Sequence, residues 1–332
     1  APAVVTRLDT GKPGPTLQFD GHLDTVHLPF VAPRVEDGVL YGSGTSDMKG
    51  GIAAFVEALR VLRDTSVLPW GAVLVTAHDH HEGPWGDRRQ LKALIDGGYV
   101  GDAVLLPEYL PDCLALAGRG MAIFEIVLSR EGEPVHEVKR DPGCPDVVAA
   151  GADLVCRLRE LDQRLEEGPD QYAGRDSVFV GKVSAGEIYN QSPLTCRING
   201  TRRWVTPGQA AEVEEAFRSL VREVAEGNGV SESVEYRMQG EAIRIGEDDP
   251  IVSALQAAHR AVTGETLPLG GKPFVDDGNT FAPRAGIPVL THGPDAKGAH
   301  TTNERVPVSE LVRVAQVYAL TAVAYCGTGG TV

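Results

Sequence analysis

The pattern of apolar and polar positions changes twice along the chain. Over residues 1–110, short apolar runs alternate with a stretch of helical period. VVTRL and TLQFD read as strands, WGAVLVTAH as a buried strand, and DAVLLPE as another. Between them, DMKGGIAAFVEALRVLRD has the period of an amphipathic helix, with Ile52, Phe55, Val56, Leu59 and Leu62 on one face. A helix set between near-continuous apolar strands predicts a βαβ-type sheet.

From about residue 117 the texture shifts. MAIFEIVLSR, SVFVGKVSAG and SVEYRMQG read as strands, and CPDVVAAGADLVCRLRELDQRL as a helix. TPGQAAEVEEAFRSLVREVAEGNG reads as a second helix. Thr206 and Gln209 form its expected capping box, Pro207 takes its first position and Gly227 stops it. The βα texture then returns in DPIVSALQAAHRAVTG, IPVLTHG and VSELVRVAQVYALTAVAYC. The expected fold is therefore α/β: a mixed-sheet domain over residues 1–116 and 236–332, interrupted by an inserted α+β domain over 117–235.

Composition narrows the class. The 332 residues suffice for about two domains, and 42% hydrophobic with 23% charged residues is ordinary for a globular chain. A formal net charge of −15 excludes the basic footprint of a nucleic-acid or anionic-membrane binder. The five cysteines are scattered and form no CxxC pair, which favours a reducing cytoplasm over a disulfide framework. No apolar run approaches the ~18–20 residues of a membrane span, and no signal peptide is visible. The chain opens abruptly on a strand, which leaves room for a preceding segment.

Several segments supply metal-ligand side chains where an apolar strand ends or a helix opens. FDGHLDTV carries His22 and Asp24, GTSDMKGG carries Asp47, LLPEY carries Glu108 and GAHTTNE carries His300. TAHDHHEGPWG adds three histidines, an aspartate and a glutamate in one run. Ligands of open α/β sheets gather beyond the carboxyl ends of the strands, and imidazoles with carboxylates suit Zn²⁺ or a similar ion. A carboxylate such as Asp47 can bridge two ions about 3.5–4 Å apart. Asp24 is spaced to hold the second ring nitrogen of His22. Singly, each has a plain reading: Asp47 as a helix cap, Glu108 as a solvated loop charge, His300 as the cap of a turn. Jointly, at strand ends and in this order, they are far more specific.

GHLDTV, DGVLYGSGTSDMKGG, VDDGNTFAPRAGIPVLTHGP and AHTTNERV, with GEPVHE and NQSP in the insertion, resemble the M20 metallopeptidases: carboxypeptidase G2-like enzymes, acetylornithine deacetylase and succinyl-diaminopimelate desuccinylase. The resemblance implies a two-metal site, most simply zinc, with Co or Mn as alternatives. His22, Asp47 and Glu108 would hold one ion, and Asp47, a glutamate of the DHHEG run and His300 the other. Asp24 would orient His22. The insertion would be a lid and dimerisation domain. Its His136 would reach across a homodimer to the scissile carbonyl, and Arg203, with Arg202 as close competitor, would grip a substrate carboxylate beside Asn190. His136 as a loop histidine, and Arg203 as a partner of the acidic helix at 211–226, are the plain alternatives.

The family normally reads Asp-Glu-Glu where this chain has Asp79-His80-His81-Glu82. Two registers compete. Either Glu82 is the metal ligand and His81 stands at the general-base position, or His81 is the ligand and His80 the base. The first is preferred, because Glu82 preserves a carboxylate ligand, GPWG resembles the turn that follows it, and the 35-residue interval from Asp47 to Glu82 suits the family. A histidine can accept and return a proton, but two nearby cations disfavour its charged form. It can also coordinate a metal directly. The expected function is metal-dependent hydrolysis of an amide bond in a small carboxylate-bearing substrate, an N-acyl amino acid or short peptide, with His81 shuttling the proton. The alternatives are amide formation or acyl transfer at the same site, or a catalytically silent dimeric binding protein.

Overall fold

The computed structural model describes residues 3–83, 86–166 and 169–328. The chain divides into two compact units: Arg119–Ala242, and the chain before and after it. In the first unit the elements preceding the interruption are β1 (Val4–Asp9), β2 (Thr16–His22), β3 (Arg34–Glu36), β4 (Val39–Tyr41), α1 (Lys49–Thr65), β5 (Ala72–His78), α2 (Arg89–Asp96), β6 (Ala103–Leu106) and β7 (Leu114–Gly118). The second unit contains β8 (Gly120–Ser129), β9 (Val135–His136), α3 (Val147–Arg164), β10 (Ser177–Ala185), β11 (Gln191–Ser192), β12 (Thr195–Trp204), α4 (Ala210–Gly227) and β13 (Ser231–Gly240). The first unit resumes with β14 (Ile243–Arg244), α5 (Pro250–Thr263), β15 (Leu269–Lys272), α6 (Gly278–Ala285), β16 (Val289–Thr291), β17 (Arg305–Pro307) and α7 (Val308–Gly327).

The main sheet of the first unit runs β1-β5-β2-β6-β16. β1 lies antiparallel on the edge, and the other four strands are mutually parallel. Every residue of β2 and β5 is buried, which accounts for the almost unbroken apolar run of β5; β2 instead alternates Leu17 and Phe19 with the polar Gln18 and Asp20. Their polar members satisfy one another: Gln18 Nε2 donates to Thr76 Oγ1 at 2.7 Å, and Thr76 donates onward to Asp20. Phe55 of α1 stacks on Phe19 of β2 at 4.4 Å between centroids and meets Tyr318 of α7 at 4.5 Å. This aromatic triad fixes α1, and so the loop that leads into it, against the sheet. A second cluster joins Leu91 and Ile95 of α2 to Val104, Leu106, Phe281 and Val289.

The second unit is a four-stranded antiparallel sheet, β10-β12-β8-β13, carrying two helices. β8 alternates strictly between buried and half-buried positions. Its Phe124, Ile126 and Leu128 pack with Val147, Leu154 and Leu158 of α3 and Phe217 and Val221 of α4.

Two local expectations fail. The buried stripe of α1 is Ile52, Phe55, Ala58 and Leu62, while Val56 is 45% exposed, because the helix is covered along a narrower seam than the apolar count suggested. α4 begins at Ala210 with no side-chain cap from Gln209, so Thr206 and Gln209 form no capping box. Gly208, at φ +82°, turns the chain after Pro207, and the helix starts only beyond that turn.

Phe55→Ala removes the centre of the aromatic triad and is expected to lower stability by about 3–5 kcal/mol in urea unfolding; a loss below about 1 kcal/mol would show that α1 is anchored elsewhere.

Candidate metal centre

The carboxyl ends of β2, β5 and β6 lie side by side, with His22 in register opposite His78. His22 ends β2 and is fully buried. Asp47 precedes α1, whose N-cap residue is Met48, and no side chain caps that end. Asp47 is therefore free of the capping duty its position suggested. Its loop is held from behind by Glu304, whose Oε2 accepts the backbone N–H groups of Gly44, Ser46 and Asp47 at 3.0–3.2 Å. Glu108 follows β6 and is buried. Gly51 and Gly293 make room for it: a Cβ on either would collide with the backbone at Pro107–Glu108. His300 sits in the loop before β17 in a left-handed conformation, with its side chain 57% exposed.

These side chains converge. His22 Nε2 lies 3.1 Å from Asp47 Oδ1, and His300 Nε2 lies 3.1 Å from Asp47 Oδ2 and 3.4 Å from Glu82 Oε1. Ligand atoms of His22, Asp47 and Glu82 fall within 4.8 Å of one another, as do those of His22, His81 and Glu108. Asp47 thus stands between two imidazoles, one oxygen toward each. His80 is in neither cluster among the described residues; it adopts a left-handed backbone, φ +66°, and its N–H and C=O bind Asp79 and Arg88. Pro84 and Trp85 of the GPWG turn lie outside the described residues.

Asp24 meets His22 and has a second task besides. The nearest partner of His22 Nδ1 is the Asp24 carbonyl at 3.1 Å, with its carboxylate at 3.5 Å. While Oδ1 faces His22, the carboxylate Oδ2 accepts the N–H groups of His81 and Glu82, at 3.0 and 2.8 Å. It clamps the loop that carries both residues, because the turn at His80 points those two donors toward β2.

The electrostatics are those of buried anions facing imidazoles. Burial, then Asp47, push the Glu108 carboxyl well above its ordinary range. Burial also opposes ionisation of Asp47, but hydrogen bonds to His22 and His300 outweigh it and hold the carboxyl well below the usual value. For His22 burial is likewise overcome, by Asp24 and Asp47, and its pKa is raised. Asp47 and Glu82 lift His300 to about 10. Two imidazoles and three carboxylates converging in this way are a donor set that fits divalent metal ions, whose charge offsets that of the buried carboxylates.

A second layer lies behind. His81 Nδ1 is 2.8 Å from Asp277 Oδ1, and its ring stacks on His22 at 4.0 Å and 11°. Asp277 also meets His78 Nε2 at 3.2 Å, and His78 in turn meets Asp20 at 3.2 Å. Asp277, His78 and Glu304 were not found by sequence reasoning. Each lay in or beside a segment that had been recognised, but nothing in residue type or spacing separates a buried partner from a solvated one.

The residues expected in the insertion lie in the second unit. Asn190 Nδ2 is 3.1 Å from His136 Nε2, so these two are brought together. Arg202 is buried and donates to Asp176 at 2.8 Å. Arg203 forms no such pair, and its Nη1 is buried without a hydrogen-bond partner among the described residues.

The fold and the convergent donor set define a metallohydrolase of the two-unit kind. The family model for "Peptidase family M20/M25/M40" matches residues 19–324, and the chain belongs to that family. It is 29% identical to the succinyl-diaminopimelate desuccinylase of Alkalilimnicola ehrlichii, over 93% of this chain and 83% of that protein. It is also 29% identical to that of Gluconacetobacter diazotrophicus, over 93% and 81%. Among solved structures, the aminopeptidase PepT of Bacillus cereus aligns with a TM-score of 0.78 at 19% identity, covering 98% of this chain and 85% of that one. A dinuclear metal binding peptidase of Bacillus subtilis aligns at 0.70 and 16%, covering 98% and 85%. The protein is thus a metal-dependent hydrolase of amide bonds in small substrates. No helix among the described residues is long and apolar enough to cross a membrane.

Glu304→Ala strands three N–H groups behind Asp47. It is expected to lower stability by about 2–4 kcal/mol, measured by urea unfolding, and to lower the chelator concentration that strips the metal.

Proposed function

We propose that the protein hydrolyses the amide bond of a carboxylate-bearing N-acyl amino acid or short peptide, using two divalent ions held by His22, Asp47, Glu82, Glu108 and His300. The single observation that carries this reading is the position of Asp47, with His22 on one carboxylate oxygen and His300 on the other. Zinc suits the mixed imidazole and carboxylate donors best, with Co or Mn as alternatives. When bound, such ions lower the pKa of water and polarise a carbonyl. His22 and Glu108 hold one position, His300 and Glu82 the other, and Asp47 belongs to both.

His81 takes a proton from the attacking water and returns it to the departing amine. Asp24 keeps His81 and Glu82 in place through their backbone N–H groups. Arg203, whose Nη1 has no hydrogen-bond partner among the described residues, receives the substrate carboxylate, with Asn190, which meets His136, as its companion. His136 acts at the site of a second copy, in a homodimer formed through the inserted unit. The named activity of the relatives makes N-succinyl diamino acids the first substrates to try. The five cysteines, all free, fit a cytoplasmic location.

The test combines metal analysis with an N-acyl amino acid and dipeptide panel. The expected result is two ions per chain, hydrolysis by the native protein, and a loss of about 10²-fold or more in kcat for His81→Gln. Activity that appears only in His81→Glu would overturn the role of His81 and favour acyl transfer or silent binding.

A further inference from the structure

His81 is the position where this chain departs from its family, and an imidazole in a carboxylate's place raises two physical problems. A neutral ring lacks the negative charge that makes a carboxylate a ready proton acceptor beside cations, and it has two nitrogens of which only one can be the base. The surroundings of His81 address both. Asp277 places Oδ1 2.8 Å from Nδ1. The ring lies flat against His22, 4.0 Å between centroids and 11° between planes. Stacking fixes the plane of the ring, and the contact with Asp277 fixes which edge points inward. His81 still offers a ring nitrogen within 4.8 Å of ligand atoms of His22 and Glu108.

Asp277 is itself immobilised. It is 1% exposed, at the N-terminus of α6, where its backbone carbonyl accepts the N–H groups of Thr280 and Phe281. Its Oδ2 lies 3.2 Å from His78 Nε2, and Arg88 Nε lies 3.4 Å from Oδ1. His78 is anchored in turn by Asp20 at 3.2 Å, and Asp20 by Thr76 and Gln18. The chain of contacts runs from the middle of β2 and β5 to the ring of His81 with every member buried or nearly so.

We propose that Asp277 is the positioning residue of an Asp277–His81 dyad: it holds the His81 ring with the proton on Nδ1, so that Nε2 is the nitrogen that exchanges protons with the reacting groups. This deepens the proposed function and rests on its assignment of His81 as base. A neutral imidazole hydrogen-bonded to a carboxylate carries together the single negative charge of the glutamate it replaces, distributed over two side chains. In the reaction, Nε2 accepts one proton from water as the oxygen adds to the amide carbon. The C–N bond then breaks, and the same proton passes to the amine nitrogen. The Nδ1 proton stays between His81 and Asp277 throughout, and Asp277 is never protonated, the division of labour known for Asp–His pairs in acyl transfer.

Two measurements test this. In ¹⁵N spectra of the zinc-loaded native protein, with His81 assigned by the signals lost in His81→Gln, Nδ1 is expected to be protonated and Nε2 not; Asp277→Asn should give a mixture of tautomers. A native ring protonated on Nε2 would overturn the proposal. In turnover, Asp277→Asn is expected to lower kcat by about 10- to 100-fold with KM changed less than about 3-fold. In the His81→Glu background the same substitution should leave kcat within about 3-fold, or raise it by removing a like charge beside the new carboxylate. Equal losses in both backgrounds would show that Asp277 merely supports the fold and would sink the positioning role. The expected tautomers in a protein inactive on every substrate would uphold the dyad and refute the base assignment on which the turnover measurement depends.

Discussion

Three buried carboxylates, brought within reach of one another at the ends of parallel strands, are the constraint on which this molecule turns. Two unit charges about 4 Å apart interact by about 4 kcal/mol at an effective dielectric constant near 20, so Asp47, Glu82 and Glu108 cannot be assembled without compensation. The backbone supplies the assembly: β2 and β6 deliver His22 and Glu108 from adjacent strands, and the loop into α1 delivers Asp47. Glu304 and Asp24 supply the rigidity, each by accepting several backbone N–H groups of a loop outside the sheet. Imidazoles, and the ions they would hold alongside the carboxylates, supply the compensation.

The proposed role of His81 as the base is intelligible only against this background. A lone imidazole between cations would be a poor acceptor of protons. Packed on His22 and backed by Asp277, His81 is not alone, and the carboxylate beside it comes from far along the chain. Gln18 and Asp20 of β2 and Thr76 of β5, buried within the sheet, link to this arrangement from behind. They would be costly ornaments in a sheet built for packing only.

How much of this was legible in the sequence depended on period and on position. The strands of the first unit and the long helices were readable because burial on all sides leaves apolar runs and burial on one side leaves a stripe. The convergence of His22, Asp47, Glu108 and His300 was readable because strand ends and helix starts are where ligands gather in such sheets. The start of α4 was misread because Thr206-Pro207-Gly208-Gln209 satisfies the rules of a helix start and of a tight turn alike, and the left-handed Gly208 decides for the turn. Asp277 was missed for a different reason. Its significance arises from a contact with a residue 196 positions away, and no local pattern encodes such a contact.

The neighbouring arginines of β12 illustrate a last consequence. Successive side chains of a strand point to opposite faces, so Arg202 is drawn into the protein to meet Asp176 while Arg203 keeps part of its guanidinium uncommitted. One arginine is committed to an ion pair, and no such pair holds its neighbour among the described residues. With Arg203 as the proposed receiver of the substrate carboxylate, editing position 203 alone would retune what the inserted unit welcomes, whereas the chemically identical change one step earlier would break the ion pair of the buried Arg202 with Asp176.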